Sequence, residues 1–218
     1  VAYIATLSGV PSDANRAVYR DSTLIAREGD SFPDDEARSY TDFGFAGVAN
    51  DGTVGFHALL DGDDGTNSVI VQGGVVLYQE GDELTKLAGL FWDADFDEIQ
   101  WNGQGDLLFE GITTLPSDVD GLLVRRTSAG VEEIVVEEGM TIDADEGTDF
   151  LDLILQSALA ENGRWAMRGN LDLAPSTANA CILAEGDVYI QEGRAIPEIP
   201  GASTGNFNGV DVNSQGDI

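Results

Sequence analysis

The sequence predicts an all-β fold, and within that class a β-propeller of about four four-stranded blades. Three observations lead there: two turn markers recur in phase through four copies, short apolar runs alternate with Asn, Asp and Gly turns, and no 3.6-residue apolar period persists. The alternatives are a four-blade part of a larger propeller and a β-solenoid or sandwich array, because repeat phase alone does not separate a closed ring from a slice of a longer array.

The first marker is Arg27-Glu28-Gly29-Asp30, which returns as Gln79-Glu80-Gly81-Asp82, Glu137-Glu138-Gly139-Met140 and Gln191-Glu192-Gly193-Arg194. The glycines are 52, 58 and 54 residues apart, so 218 residues make about four periods. The second marker is Ala49-Asn50-Asp51-Gly52, repeated as Asn102-Gly103-Gln104-Gly105, Ala160-Glu161-Asn162-Gly163 and Asn213-Ser214-Gln215-Gly216. A third, Val10-Pro11-Ser12-Asp13, comes back as Leu115-Pro116-Ser117-Asp118 and more weakly as Ala174-Pro175-Ser176. The repeats run approximately over 1–30, 31–82, 83–140 and 141–194 of one repeat domain, 1–218.

Strands follow from the apolar runs between these turns. The second copy reads as 43–49, 53–60, 68–72 and 75–80, the third as 98–102, 106–113, 121–127 and 132–138, and the fourth as 151–159, 164–171, 180–184 and 187–191. The chain opens on Val1-Ala2-Tyr3-Ile4-Ala5-Thr6-Leu7, which looks like the second strand of a hairpin, and closes on residues that look like the start of one. Residues 208–218 are therefore expected to complete the first blade with a returning strand, a closure that would remove an exposed sheet edge. A start at Val1 leads to the expectation of a processed or trimmed chain.

The run Asn102-x-x-Gly105-x-x-Leu108-Phe109, with Asn213-x-x-Gly216 and the degenerate Gly52-x-x-Gly55-Phe56 and Gly163-x-x-Ala166-Met167, resembles the NxxGxxAF tandem repeat. That repeat belongs to secreted surface proteins of the choice-of-anchor type. The resemblance implies an extracellular or cell-surface repeat protein and carries over no catalytic residue.

Charge narrows the partners. Forty acidic residues against ten Lys and Arg give −30, with no basic cluster to neutralise phosphates, so no nucleic-acid partner is expected. The same balance disfavours an anionic membrane surface, and no apolar stretch approaches the ~20 residues of a membrane span, so no membrane insertion is expected. An acidic, Lys-poor surface keeps a protein hydrated in high salt, and some of its carboxylates are candidates for divalent cations. One His and one Cys leave no material for a Cys/His zinc site or a disulfide framework.

Two acidic segments are the candidate calcium ligands: Asp61, Asp63 and Asn67 in one, Asp143, Asp145 and Asp149 in the other. Both have the form Asp-x-Asp-[Asp/Glu]-Gly-Thr-[Asn/Asp], oxygen ligands alternating around a glycine turn, although the full EF-hand pattern is absent. A plain solvated acidic turn reads the same letters. Asp93, Asp95, Asp97 and Glu98 form a third acidic loop of weaker logic. Cys181 aligns with Ala17, Val69 and Leu122 and reads as core. His57 aligns with Ala5, Glu110 and Arg168, a mixture expected at a solvated or channel-facing position. Phe56, Phe109 and Met167 read as core; Trp92 and Trp101 read as core, with sugar stacking as the alternative. The repeated Glu-Gly pairs read as turns first and as an acidic ring second.

These readings predict a non-catalytic extracellular or cell-surface structural or adhesive repeat protein that self-assembles, with partners among its own copies in a filament or surface layer. The alternative is a secreted carbohydrate-binding or carbohydrate-active propeller with a glycan as partner. Forty acidic groups guarantee carboxylate pairs by chance, so none is singled out as catalytic.

Overall fold

The computed structural model describes residues 1–144, 147–172 and 174–218. The fold is all-β, with one 3-10 turn at Ser12–Ala14. Seventeen strands fall into four antiparallel sheets taken in chain order. The first holds β1 (Ala2–Thr6), β2 (Arg16–Arg20) and β3 (Thr23–Arg27). The second holds β4 (Ser31–Phe32), β5 (Asp35–Val48), β6 (Val54–Leu60), β7 (Ser68–Gln72) and β8 (Val75–Gln79). The third holds β9 (Trp92–Trp101), β10 (Leu107–Thr113), β11 (Gly121–Arg126) and β12 (Glu132–Glu137). The fourth holds β13 (Thr141–Ala144), β14 (Gly147–Leu159), β15 (Trp165–Leu171), β16 (Ala180–Ala184) and β17 (Asp187–Gln191).

One local device recurs in every sheet. The last two strands slip register at Val18/Tyr19, Ile70/Val71, Leu123/Val124 and Ile182/Leu183, a bulge at the same repeat position each time. A bulge bends and twists its strand, so the same curl is imposed four times. The glycines of the Glu-Gly marker take φ of +81°, +86°, +78° and +82°, a region that side chains rarely enter. The first three donate their amides to the strand that opens the next repeat, Gly29 to Tyr40, Gly81 to Trp92 and Gly139 to Leu151, and Gly193 donates to Thr204 beyond the last strand.

A second device was not foreseen. Between sheets the chain makes a two-stranded ribbon, β4 with the start of β5 and β13 with the start of β14, reduced to single bridges at Glu83↔Phe91 and Ala195↔Ser203. These ribbons lengthen β5 and β14 and make the second and fourth sheets five-stranded. Pairing of β9 with β10 back to Trp92 draws Asp93, Asp95 and Asp97, expected in a loop, into the strand that Glu98 was expected to open.

Alternate residues on the strands face opposite neighbours. On β7, Val69 and Val71 join the core shared with the first sheet, and Ile70 joins the core shared with the third. On β11, Leu122 and Val124 face back to the second sheet while Leu123 faces forward to the fourth. β5 packs on β1 and β2, β9 on β5, β6 and β7, and β14 on β9, β10 and β11. Each core is thus a boundary between consecutive sheets. The segment expected to complete the first sheet lies elsewhere: β1 stands at the edge of its three-stranded sheet, and Val210, Phe207, Val212 and Ile218 pack with Ala166 and Ile182 of the fourth.

Candidate functional site

The first acidic segment links β6 to β7. Its side chains are tied to the protein: Asp61 accepts from the Ser39 amide (2.7 Å) and Asp63 from the Gly65 amide (3.1 Å). The Arg38 guanidinium spans the loop, donating to the carbonyls of Asp61 (2.7 Å) and Thr66 (2.9 Å). The Asn67 amide donates to Glu80. The second segment was expected as a loop, and its described residues lie instead on two paired strands, with Asp143 opposite Thr148 and Asp149 opposite Ile142. Asp149 is buried, its carboxylate accepting from the Phe150 amide. Asp145 lies outside the described residues. Among the described residues no three His, Cys, Asp or Glu side chains converge closely enough to hold a metal ion.

His57, expected at a solvated position, is 6% exposed. Its Nε2 lies 2.9 Å from Ser68 Oγ, which also accepts from the Phe96 amide. Its Nδ1 has no hydrogen-bond partner among the described residues and lies beside Gly44, where a Cβ would collide with it. Burial lowers the His57 pKa and keeps the ring neutral, against the raising influence of Asp95, Asp97 and Asp42. This serine-histidine pair resembles a nucleophile and its base, but Ser68 is fully buried and no substrate atom reaches it. Cys181 is likewise fully buried, its thiol pushed up to about 11 by burial. Trp92 is 4% exposed, and Trp101 lies on Gly47 and Gly55, where any Cβ would strike its indole.

The repeated glutamates are fasteners. Glu28 accepts from the amides of Asn15 and Arg16 (both 2.8 Å), and Glu80 from those of Asn67 and Ser68 (3.1 and 3.3 Å). Glu138 bridges two sheets, accepting from Gly121 on β11 (3.0 Å) and Ile154 on β14 (3.2 Å). All three are buried. Burial raises the pKa of Glu80 and Glu138, and the amide donors partly offset it.

A cleft of about 530 Å³ opens at the boundary between the first and second sheets. Ala26, Tyr40, Val54, Phe56 and Val71 line its apolar interior, and Arg20, Asp30 and Asp51 stand among its polar residues. Tyr40 is 5% exposed, packed against Phe32, Phe43 and Phe56. Its hydroxyl has no hydrogen-bond partner among the described residues, and burial beside Asp34 and Asp30 pushes its pKa up to about 12. Arg20 is engaged at the rim, donating to the Gly52 carbonyl (2.7 Å).

Residues 1–188 match a family model described as Family of unknown function (DUF7453). The chain belongs to this family. Neither the curated proteins nor the solved structures contain a match.

The DUF7453 match takes in the first three sheets and the fourth as far as the start of β17, so both walls of the cleft belong to the family's common part. Sequence reasoning missed the cleft. The signal was present in the repeat alignment, where Ala26 stands in the column of Tyr78, Val136 and Ile190, but a small residue in an apolar column does not announce a void until the neighbours' positions are known.

Proposed function

We propose that this member of DUF7453 is a non-catalytic, extracellular or cell-surface repeat module of propeller type, serving structure or adhesion and assembling with copies of itself. One observation carries the reading: three of the four repeated glutamates and the one histidine are engaged in holding the sheets. Glu28, Glu80 and Glu138 are bound to backbone amides, and the His57–Ser68 pair sits inside the second sheet. Four sheets of antiparallel meanders, each packed on the next and each carrying the same bulge, are what propeller blades require. The surface location rests on the acidic, Lys-poor composition and on the Asn-x-x-Gly pattern. Trp92 and Trp101 support the scaffold over the glycan-binding alternative, because their ring faces are occupied by protein.

Light scattering on the purified chain, from micromolar to millimolar concentration, with calcium and then with a chelator, tests the reading. Particles heavier than the 23.1 kDa chain, growing with concentration, are expected. A strictly monomeric chain that hydrolyses a polysaccharide, with loss of turnover on a single Asp or Glu change, would overturn it.

A further inference from the structure

The cleft between the first and second sheets lies where the next boundary is filled by an aromatic ring. At the next boundary, between the second and third sheets, the Tyr78 ring on β8 fills the space: its centroid lies 4.6 Å from Phe109, 6.1 Å from Trp92 and 6.3 Å from Phe96. The equivalent positions at the first boundary follow from hydrogen-bond register. Tyr40 answers to Trp92, because each accepts the amide of a Glu-Gly glycine through its carbonyl. Phe56 answers to Phe109, each paired across the sheet with a valine, Val71 and Val124. Ala26 answers to Tyr78, paired with Val18 as Tyr78 is with Ile70. The aromatic surface that Tyr78 covers at the second boundary is therefore present at the first, where only Ala26 faces it.

Protein interiors close such gaps when nothing else fills them. Here the third boundary carries Val136 in the same column and the C-terminal one Ile190, while the first carries only a methyl group. The Tyr40 hydroxyl supplies a second, independent sign. It belongs to a side chain buried to 95% of its surface, it lines the cleft, and it is left without a hydrogen-bond partner among the described residues. The ring is buried while the hydroxyl oxygen opens to the cleft, where a ligand's polar edge can meet it.

We infer that this cleft binds a small planar aromatic molecule, uncharged or cationic, whose ring takes the place of the missing Tyr78-like side chain and whose polar edge meets the Tyr40 hydroxyl. The volume lies within the roughly 300–1,000 Å³ of ordinary ligand sites. The charge preference follows from the whole chain more than from the rim. Arg20 keeps its charge while donating to the Gly52 carbonyl, Asp30 is paired with Arg27 (3.2 Å) and Asp51 stands beside them, but the whole chain carries −30, so an anion is repelled. The binding site does not depend on the scaffold reading, since it uses no residue to which that reading assigns a task.

Three probes sharing one ring system test it: indole, tryptamine and indole-3-acetate, titrated by calorimetry with saturation-transfer NMR for the weak cases. Saturable binding of indole and tryptamine is expected, with indole-3-acetate at least about tenfold weaker. Ala26→Tyr restores the ring and is expected to abolish binding while melting no lower than the parent. Tyr40→Phe keeps the ring and is expected to weaken tryptamine and indole by roughly fivefold. Ala26→Leu carries the same test if the tyrosine variant does not fold. Failure of all three probes to bind, or binding by the filled variant at the parental level, would overturn the inference. So would a concentration-dependent dimer that the filled variant loses without any small-molecule binding, since the occupant would then be a side chain of a second copy.

Discussion

A carboxylate inside a sheet must have its charge held or keep its proton. Glu28, Glu80 and Glu138 take the first course through backbone amides. Glu110 on β10 takes the second: burial, with Glu138, Asp97, Glu98 and Asp120 around it, pushes its pKa up from 4.5 to about 8. A carboxyl whose folded pKa lies above its unfolded value favours the fold while protonated. That contribution is complete below pH 4.5 and is lost as the pH rises towards 8. Glu110→Gln is therefore expected to raise the melting temperature at pH 8, to change it little at pH 4.5, and to flatten the decline between; parallel melting curves across that range would contradict the assignment. At this scale the sequence was legible where one column held one chemistry. Cys181 reads as core beside Ala17, Val69 and Leu122, and it is core. His57 shares its column with Ala5, Glu110 and Arg168, and that diversity suggested solvent. Its burial depends on Ser68 across the ladder and on the space left by Gly44, and no spacing along the chain displays either.

The Asn-x-x-Gly turns join one element to the next. Asn102 accepts from the amides of Gln104 (3.0 Å) and Asp106 (2.9 Å), shaping the turn between β9 and β10, while its Nδ2 donates to the Ala160 carbonyl of the following repeat (3.0 Å). Asn162 does the same to Gln215 (2.7 Å). Asn102 is buried, so Asn102→Ala leaves amides and a carbonyl unpaired and is expected to cost about 1–3 kcal/mol in urea unfolding. An unchanged midpoint would reduce the motif to a surface turn. The strands were readable because apolar residues alternate between glycine turns: β7, β16 and β17 fall on the residues expected. The ribbons were not. The start of β5 reads Asp35-Glu36-Ala37-Arg38-Ser39, largely exposed, and the start of β14 reads Gly147-Thr148-Asp149; partly polar two-stranded ribbons give no period to detect.

Across the molecule, forty acidic residues face ten basic ones, and the ion pairs among the described residues are few and mostly exposed. Self-repulsion opposes compactness and is screened by salt, whose Debye length falls from about 10 Å at 0.1 M to about 3 Å at 1 M. The melting temperature is expected to climb over that range; a flat or falling profile would mean that the charges are already compensated. The four-fold repeat was legible from the markers alone, whereas the resting place of residues 208–218 was not. Their hairpin-like ending suits the edge of β1 as well as the face of the fourth sheet. Gln156 bonds both the amide and the carbonyl of Val210, and one boundary earlier Glu98 accepts from the Ser157 amide through its carboxylate and from the Ser157 hydroxyl through its carbonyl. One repeated unit, a buried glutamate holding backbone amides in three of the four repeats, is the centre of this account. Residue-resolved amide exchange tests it most directly. The amides of Arg16, Ser68 and Gly121, each held by its repeat's buried glutamate, should exchange slowly and together, and Glu138→Gln should speed Gly121 and Ile154 while sparing Arg16. Exchange at all three as fast as in the exposed turns would contradict it.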